Sequence, residues 1–174
     1  MMRVAISEGG VAPADAVPPR RAAVSADCAS VGSVSSVEAG LSGMADYRPG
    51  ACNIGEAEQR RRYALGAVAA VATLGLVTWV FGFGGPAWAL VLAAVPLFGA
   101  AEGYFQGKYQ FCTGFAALGI YDVSADGDTR RQVTDEANRR ADLRRAWQIH
   151  AYAAATAVGG AVLLYVLELF VSSS

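Results

Sequence analysis

The chain has little of what a soluble enzyme or a nucleic-acid binder is built from. It contains one histidine, His150, and one lysine, Lys108; every other basic residue is arginine. Lys and Arg number 14 against 15 Asp and Glu, a net charge of −1. No basic surplus is available to neutralise a phosphate backbone, so the chain gives no global case for nucleic acid and none is expected as a partner. Cys28, Cys52 and Cys112 are an odd number without C-x-x-C spacing, and suggest no disulfide framework. No phosphate loop, dinucleotide fingerprint or nucleophile–base pair is present. The expectation is a protein that is not an enzyme, with no catalytic residue and no cofactor to name. Nor is a secretory leader expected, because Pro13, Pro18 and Pro19 break up Met1–Arg21. The first apolar helix is then expected to act as its own uncleaved insertion signal.

What is present is hydrophobicity, unevenly placed. Apolar residues make up 54% of the chain and crowd into three blocks. The first, Tyr63 to Phe83, carries no charge, and at 1.5 Å per residue it is long enough to cross a hydrocarbon core of ~30 Å. Gly82, Gly84, Gly85 and Pro86 interrupt it and predict a tight turn into a second helix, Pro86 to about Gln106, whose only charge is Glu102. Continuing that helix through Tyr121 would give ~54 Å, so residues 107–121 are expected to form a short interfacial helix bearing Phe111, Phe115 and Leu118. Thr129 and Gln132 have capping-box spacing and predict a charged helix over Arg130–Ala146. It runs into the third block, Trp147 to Val171, with Trp147 and Tyr152 at the interface and Glu168 as its only charge.

The expected fold class is therefore all-α, an integral membrane protein with a helical hairpin, a short interfacial helix and a third long helix. The expected divisions are a tail over 1–43, which lacks the periodicity to fold, and a segment 44–62 on the cytoplasmic side. A two-helix membrane module over 63–121, a charged connector over 122–146 and a third span over 147–171 follow. The texture changes at Met44, which is read as the start of the protein. Arg48, Arg60–Arg62, Lys108 and the arginines of 130–145 all fall on one side of three spans. The positive-inside rule makes that side cytoplasmic, predicting a multi-pass protein of the cell (plasma or inner) membrane with its N-terminus in and its C-terminus out.

Residues 52–122 contain Asn53-Ile54-Gly55 followed by Glu56, Glu58 and Arg60–Arg62, then Gly66 and Gly85-Pro86-Ala87-Trp88. Pro96-Leu97-Phe98-Gly99, Phe111-Cys112 and Leu118-Gly119-Ile120 complete the set. This pattern resembles the YgaP-like inner-membrane transmembrane domain family. The departures are about ten residues between the glycine-rich helix end and Phe111-Cys112, and Thr113 where a proline often follows the cysteine. Some relatives carry a fused rhodanese domain, absent here. The resemblance implies a small helical membrane module, dimeric in some settings, with at most a hint of sulfur or thiol chemistry.

Gly99, Gly103 and Gly107 form two overlapping G-x-x-x-G motifs, which let a second helix approach closely. The partner is either internal or a second copy, and self-association is the expected use. Glu102 lies beside that face, and an intramembrane carboxylate is a candidate for transport or proton relay. The blander alternative has it reaching water or Lys108. Cys52, Cys112 and His150 share one side and could hold a soft metal or form a redox pair, against the simpler reading of buried cysteines and an interfacial imidazole; no metal is assigned. Asp122, Ser124, Asp126 and Gly127 mimic half a calcium loop, but the twelfth position is Val133, so a turn is expected. The arginine helix reads as solvated and topology-setting, with anionic lipid headgroups as natural contacts. The leading functional expectation is an oligomerising scaffold or accessory module in the lipid bilayer. The alternatives are an oligomeric transporter or channel for a small anion or sulfur species, and a membrane thiol-redox or metal-binding protein.

Overall fold

The computed structural model describes residues 46–173; the expected tail 1–43, the expected start at Met44 and Cys28 lie outside the described residues. Helix α1 (Glu56–Phe83) starts seven residues before the apolar block. Glu56 and Glu58 occupy its first turn, where the exposed N–H groups favour negative charge. They are paired with Arg60 at 3.4 Å, and with Arg61 and Arg62 at 2.7 and 3.2 Å. Gly84 ends the helix at φ 71°, a left-handed conformation costly for residues with a Cβ.

The expected second helix over Pro86–Gln106 is instead two: α2 (Ala89–Leu92) and α3 (Ala94–Lys108). Pro96 is the physical reason. It has no N–H to offer the Leu92 carbonyl four residues earlier, and its ring crowds that carbonyl, so the helix is re-nucleated around Ala93. Leu97 N–H then resumes the pattern, donating to Ala93 O at 2.9 Å. At the other end α3 closes on Gln110, a non-glycine residue at φ 48°. Phe111 N–H donates back to Gln106 O and Gln110 N–H to Gly107 O, which satisfies the last carbonyls of the helix.

The short helix expected in residues 107–121 is α4 (Thr113–Leu118), ended by Gly119 at φ 67°. The capping box at Thr129–Gln132 does not form. Arg131–Gln132 is an extended segment, β2, paired antiparallel with β1 (Ile120–Tyr121) in the register Ile120↔Gln132 and Tyr121↔Arg131. Val133 N–H is held by Gly119 O at 2.8 Å. With those residues committed to the ribbon, the last helix, α5 (Glu136–Ser172), starts six residues later than expected. Its true cap is Asp135, whose side chain accepts from Asn138 N–H at 2.9 Å. Among the described residues this two-stranded ribbon and two isolated bridges are the only β pairing.

Helix α3 packs against both α1 and α5. Small residues line its seam with α1, and alanines, Ala146, Ala153, Ala157 and Ala161, are the buried face of α5. The outer faces are left apolar and uncovered: only 17% of the apolar stretch of α1 and 11% of that of α5 is buried. Among the described residues three helical stretches are long and apolar enough to cross a membrane: α1, α2 with α3, and α5. Apart from Thr73, the buried polar residues lie at one end, where α1 and α5 begin and α3 stops.

Candidate functional site

The glycine face of α3 is used inside the chain. A Cβ at Gly103 would come 2.6 Å from Gly66 Cα and 2.7 Å from the Arg62 carbonyl oxygen; one at Gly107 would strike the Tyr63 ring at 2.7 Å. At Gly99 the neighbour is Ala69, at 3.2 Å. All three residues therefore meet α1 of the same chain, and this surface is not open to another molecule.

Below this seam the segment Asn53-Ile54-Gly55 threads between two loops. Asn53 works as a two-sided clip: its Nδ2 donates to Cys112 O at 2.9 Å, and its Oδ1 accepts from Cys112 N–H at 2.6 Å. The positive φ of Gln110 turns its carbonyl toward the same strand, where it accepts from Asn53 and Ile54 N–H. On the far side Asp122 N–H donates to Asn53 O, and Gly55 N–H to Asp122 O. Gly55 must be glycine, since a Cβ would lie 2.2 Å from Ser124 O. Asp122 is buried and Ser124 donates to it from both N–H and hydroxyl, while Gly127 N–H donates to Ser124 Oγ. The calcium-like run is thus an internally hydrogen-bonded turn, with Asp126 exposed and Asp122 Oδ2 buried without a partner.

A second clip joins the start of the described chain to α5. Asp142, 1% exposed, accepts from Tyr47 Oη at 2.8 Å and from Gly50 N–H at 2.6 Å. The Tyr47 ring stacks on Tyr121 with centroids 4.2 Å apart. Burial, reinforced by the hydrogen bond to Asp142, pushes the Tyr47 hydroxyl above its ordinary range.

The third group of polar residues lies where α3, α4 and α5 meet. Glu102 Oε1 accepts from Gln106 Nε2 at 2.9 Å and from Thr113 Oγ1 at 3.0 Å, and His150 Nδ1 lies 3.0 Å from the same oxygen. The His150 ring stacks on Phe98 and meets Trp147 edge-on, each at 6.2 Å. Glu102 does not turn to Lys108, whose ammonium sits over the Tyr104 and Tyr109 rings.

Of the residues singled out in the sequence, Glu102 and His150 are thus brought together. Cys112 is not joined to them. Its buried Sγ accepts from Phe115 N–H at 3.3 Å and caps α4. Burial pushes its thiol up, only partly opposed by that N–H and by the Arg62 guanidinium, which leaves less thiolate for redox or metal chemistry. Cys52 is buried in the preceding turn, its carbonyl accepting from Arg48 N–H at 3.0 Å. Among the described residues no three His, Cys, Asp or Glu side chains cluster as metal ligands. Sequence reasoning missed Gln106, Thr113, Tyr47 and Asp142. Asp142 had a readable signal, an acid in the middle of an arginine-rich helix; the others did not. No family model, no curated protein and no solved structure matches this chain.

Proposed function

We propose that this is a small integral membrane protein that crosses the bilayer three times and serves as a non-enzymatic scaffold or accessory module. The observation that carries the reading is the uncovered apolar surface. Leu65, Val68, Val71 and Leu74 on α1, and Val158, Val162, Leu163 and Phe170 on α5, are all exposed. Such a continuous surface would be a severe liability in water and is the natural boundary with lipid. Every Arg and Lys of the described residues falls outside the apolar stretches at the end that holds the clips. The positive-inside rule then supports a cytoplasmic cap and an outward C-terminus. The likeness to the YgaP-like modules belongs to the same proposal: Asn53-Ile54-Gly55 and Phe111-Cys112, which carry it, are hydrogen-bonded to each other in the cap.

The test is alkaline extraction of membranes together with a C-terminal reporter that works only in the cytoplasm. Retention in the pellet and a silent reporter are expected. Release into the supernatant would remove the membrane reading, and an active reporter would remove the orientation. Self-association, as part of this proposal, needs a surface other than the Gly99–Gly103–Gly107 face. Mass measurement in mild detergent decides it, with a monomer arguing against an oligomeric scaffold.

A further inference from the structure

Aromatic rings and two cations meet where the end of α3 packs against α5. The Phe105 ring stacks on Tyr109 with centroids 6.2 Å apart and lies 6.1 Å from the Tyr152 ring. Tyr109 draws a cation from each helix. The Arg145 guanidinium, from α5, sits 4.5 Å from its centroid, and the Lys108 ammonium, from the end of α3, 6.0 Å away. Lys108 is also 5.7 Å from the Tyr104 centroid. A ring face attracts a cation without neutralising it, so both charges remain open to an anion.

Other basic side chains of this end are already neutralised: Arg60, Arg61, Arg62 and Arg140 pair with Glu56, Glu58 and Glu136. Lys108 and Arg145 pair with no Asp or Glu among the described residues, and Arg145 donates only to the neutral Gln148 Oε1, at 3.2 Å. The acids close to them in sequence are engaged elsewhere, Glu102 by Gln106, Thr113 and His150, and Asp142 by Tyr47 and Gly50. The level of the two cations is equally particular. Lys108 is the last residue of α3, and Arg145 is the last basic residue before the apolar stretch of α5. Both stand at the boundary between the basic end and the apolar helices. On the apolar side of that boundary Tyr104 and Tyr152 are each 50% exposed, and such amphipathic rings favour the headgroup region of a bilayer.

We propose that Lys108 and Arg145 form a binding site for an anionic phospholipid at the seam of α3 and α5. The phosphate takes up the two cations, and the acyl chains run over the Tyr104 and Tyr152 rings toward the apolar faces. Arg145 offers a planar fork suited to phosphate oxygens, while Lys108, exposed on a flexible stem, closes on the same group as a point charge. A soluble phosphate would use the cations but not the apolar surface beside them. A zwitterionic lipid would bring a cation of its own to a doubly positive site. The inference rests on the membrane reading and names one particular contact within it, where the arginine-rich helix by itself gives only a general attraction.

The test is native mass spectrometry of the full chain in mild detergent, titrated with phosphatidylglycerol or with phosphatidylcholine of the same acyl chains. One phosphatidylglycerol per chain is expected, retained about tenfold more strongly than phosphatidylcholine. Lys108→Gln with Arg145→Gln should abolish that preference. Arg60→Gln with Arg140→Gln removes the same charge from two exposed ion pairs and should preserve it. Circular dichroism checks that each variant is folded. If the Lys108–Arg145 variant does not fold, Lys108→Gln alone decides, with an expected loss of about threefold or more. Equal retention of the two lipids by the unmodified protein overturns the proposal. So does an equal loss in both double variants, which would make the effect one of overall charge. Displacement of the lipid by glycerol phosphate at equal concentration also overturns it, since the ligand would then be a soluble phosphate. Alkaline extraction of the same protein separates the two claims. A chain that stays in the membrane without a lipid preference loses this site alone, and one that is released loses the membrane reading with it.

Discussion

The two ends of this molecule are held together by different physics. At the basic end, loops carry the structure, and each is fixed by particular hydrogen bonds: Asn53 to the Cys112 backbone, Gly55 to Asp122, and Tyr47 and Gly50 to Asp142. At the apolar end there are almost no such bonds. Val80, Ala89 and Leu90 form a small core against Leu164 and Tyr165, and the outward faces are bare. Where most apolar area faces outward, burial contributes little, and close approach of helices through small residues takes its place. The basic end therefore tolerates loss of individual donors poorly, and the helical seam tolerates added volume poorly.

The largest expected effect tests the seam. Gly103→Leu places a side chain where even a Cβ would be 2.6 Å from Gly66 Cα. Separating α1 from α3 should cost about 3 kcal/mol or more, read as a large drop in thermal midpoint in mild detergent. A variant of unchanged midpoint would show that the two helices are free to part.

The next concerns the cap. Asn53→Ala leaves the N–H of buried Cys112 unpaired and takes one of two donors from its carbonyl, which keeps Ala116 N–H, an expected loss of about 1–3 kcal/mol from one unsatisfied group. Asn53→Asp, which sets a carboxylate oxygen against the Cys112 carbonyl at a fully buried position, should be at least as destabilising as the alanine variant. Equal midpoints for all three would mean that water replaces the clip at no cost.

A smaller effect belongs to the Tyr47–Asp142 contact. Tyr47→Phe should cost about 1 kcal/mol, the usual net value of one hydrogen bond, or somewhat more with a charged acceptor. The hydroxyl is held protonated to higher pH in the folded protein than in the unfolded chain. Its contribution is thus fully present below the unfolded value of about 10 and is lost as pH rises above it, because the unfolded state releases the proton first. Denaturation followed across alkaline pH should show a steeper decline for the unmodified protein than for Tyr47→Phe. Identical slopes would sink this account.

The smallest effect completes the contrast among glycines. Gly75 and Gly159 have nothing within 4 Å of a built Cβ. Gly75→Ala or Gly159→Ala should be neutral or gain about 0.5–1 kcal/mol per site through reduced chain entropy. Destabilisation by either would reveal a neighbour on the outer face, a second copy of the chain being the direct candidate, and mass in detergent would identify it.

The three long apolar stretches, the hairpin turn at Gly84–Pro86 and the placement of charge were legible in the sequence, because apolar length and glycine–proline punctuation are local properties. The glycine face at 99, 103 and 107 was legible as a packing surface, but not its partner: both an internal helix and another molecule satisfy the same pattern. Helix boundaries were less legible. Thr129 and Asp135 are both chemically competent caps, and what selects Asp135 is the pairing of Arg131–Gln132 with Ile120–Tyr121, a contact made across the fold. The break at Ala93 was readable in principle from Pro96, whose effect lies four residues upstream of itself.

The polar sites divide in the same way. Glu102 and His150 are conspicuous by composition, one acid in an apolar block and one histidine in the whole chain. That they share an oxygen with Thr113 and Gln106 depends on how α3, α4 and α5 are docked, as does the meeting of Lys108 and Arg145 at the Tyr109 ring. The sequence by itself determined three long apolar helices and one basic end, since hydrophobicity and charge act wherever they are placed. Only the tertiary structure decided which small residues touch, which loop donors are clipped and which cations converge, because close contact and desolvation exist only once distant segments are brought together.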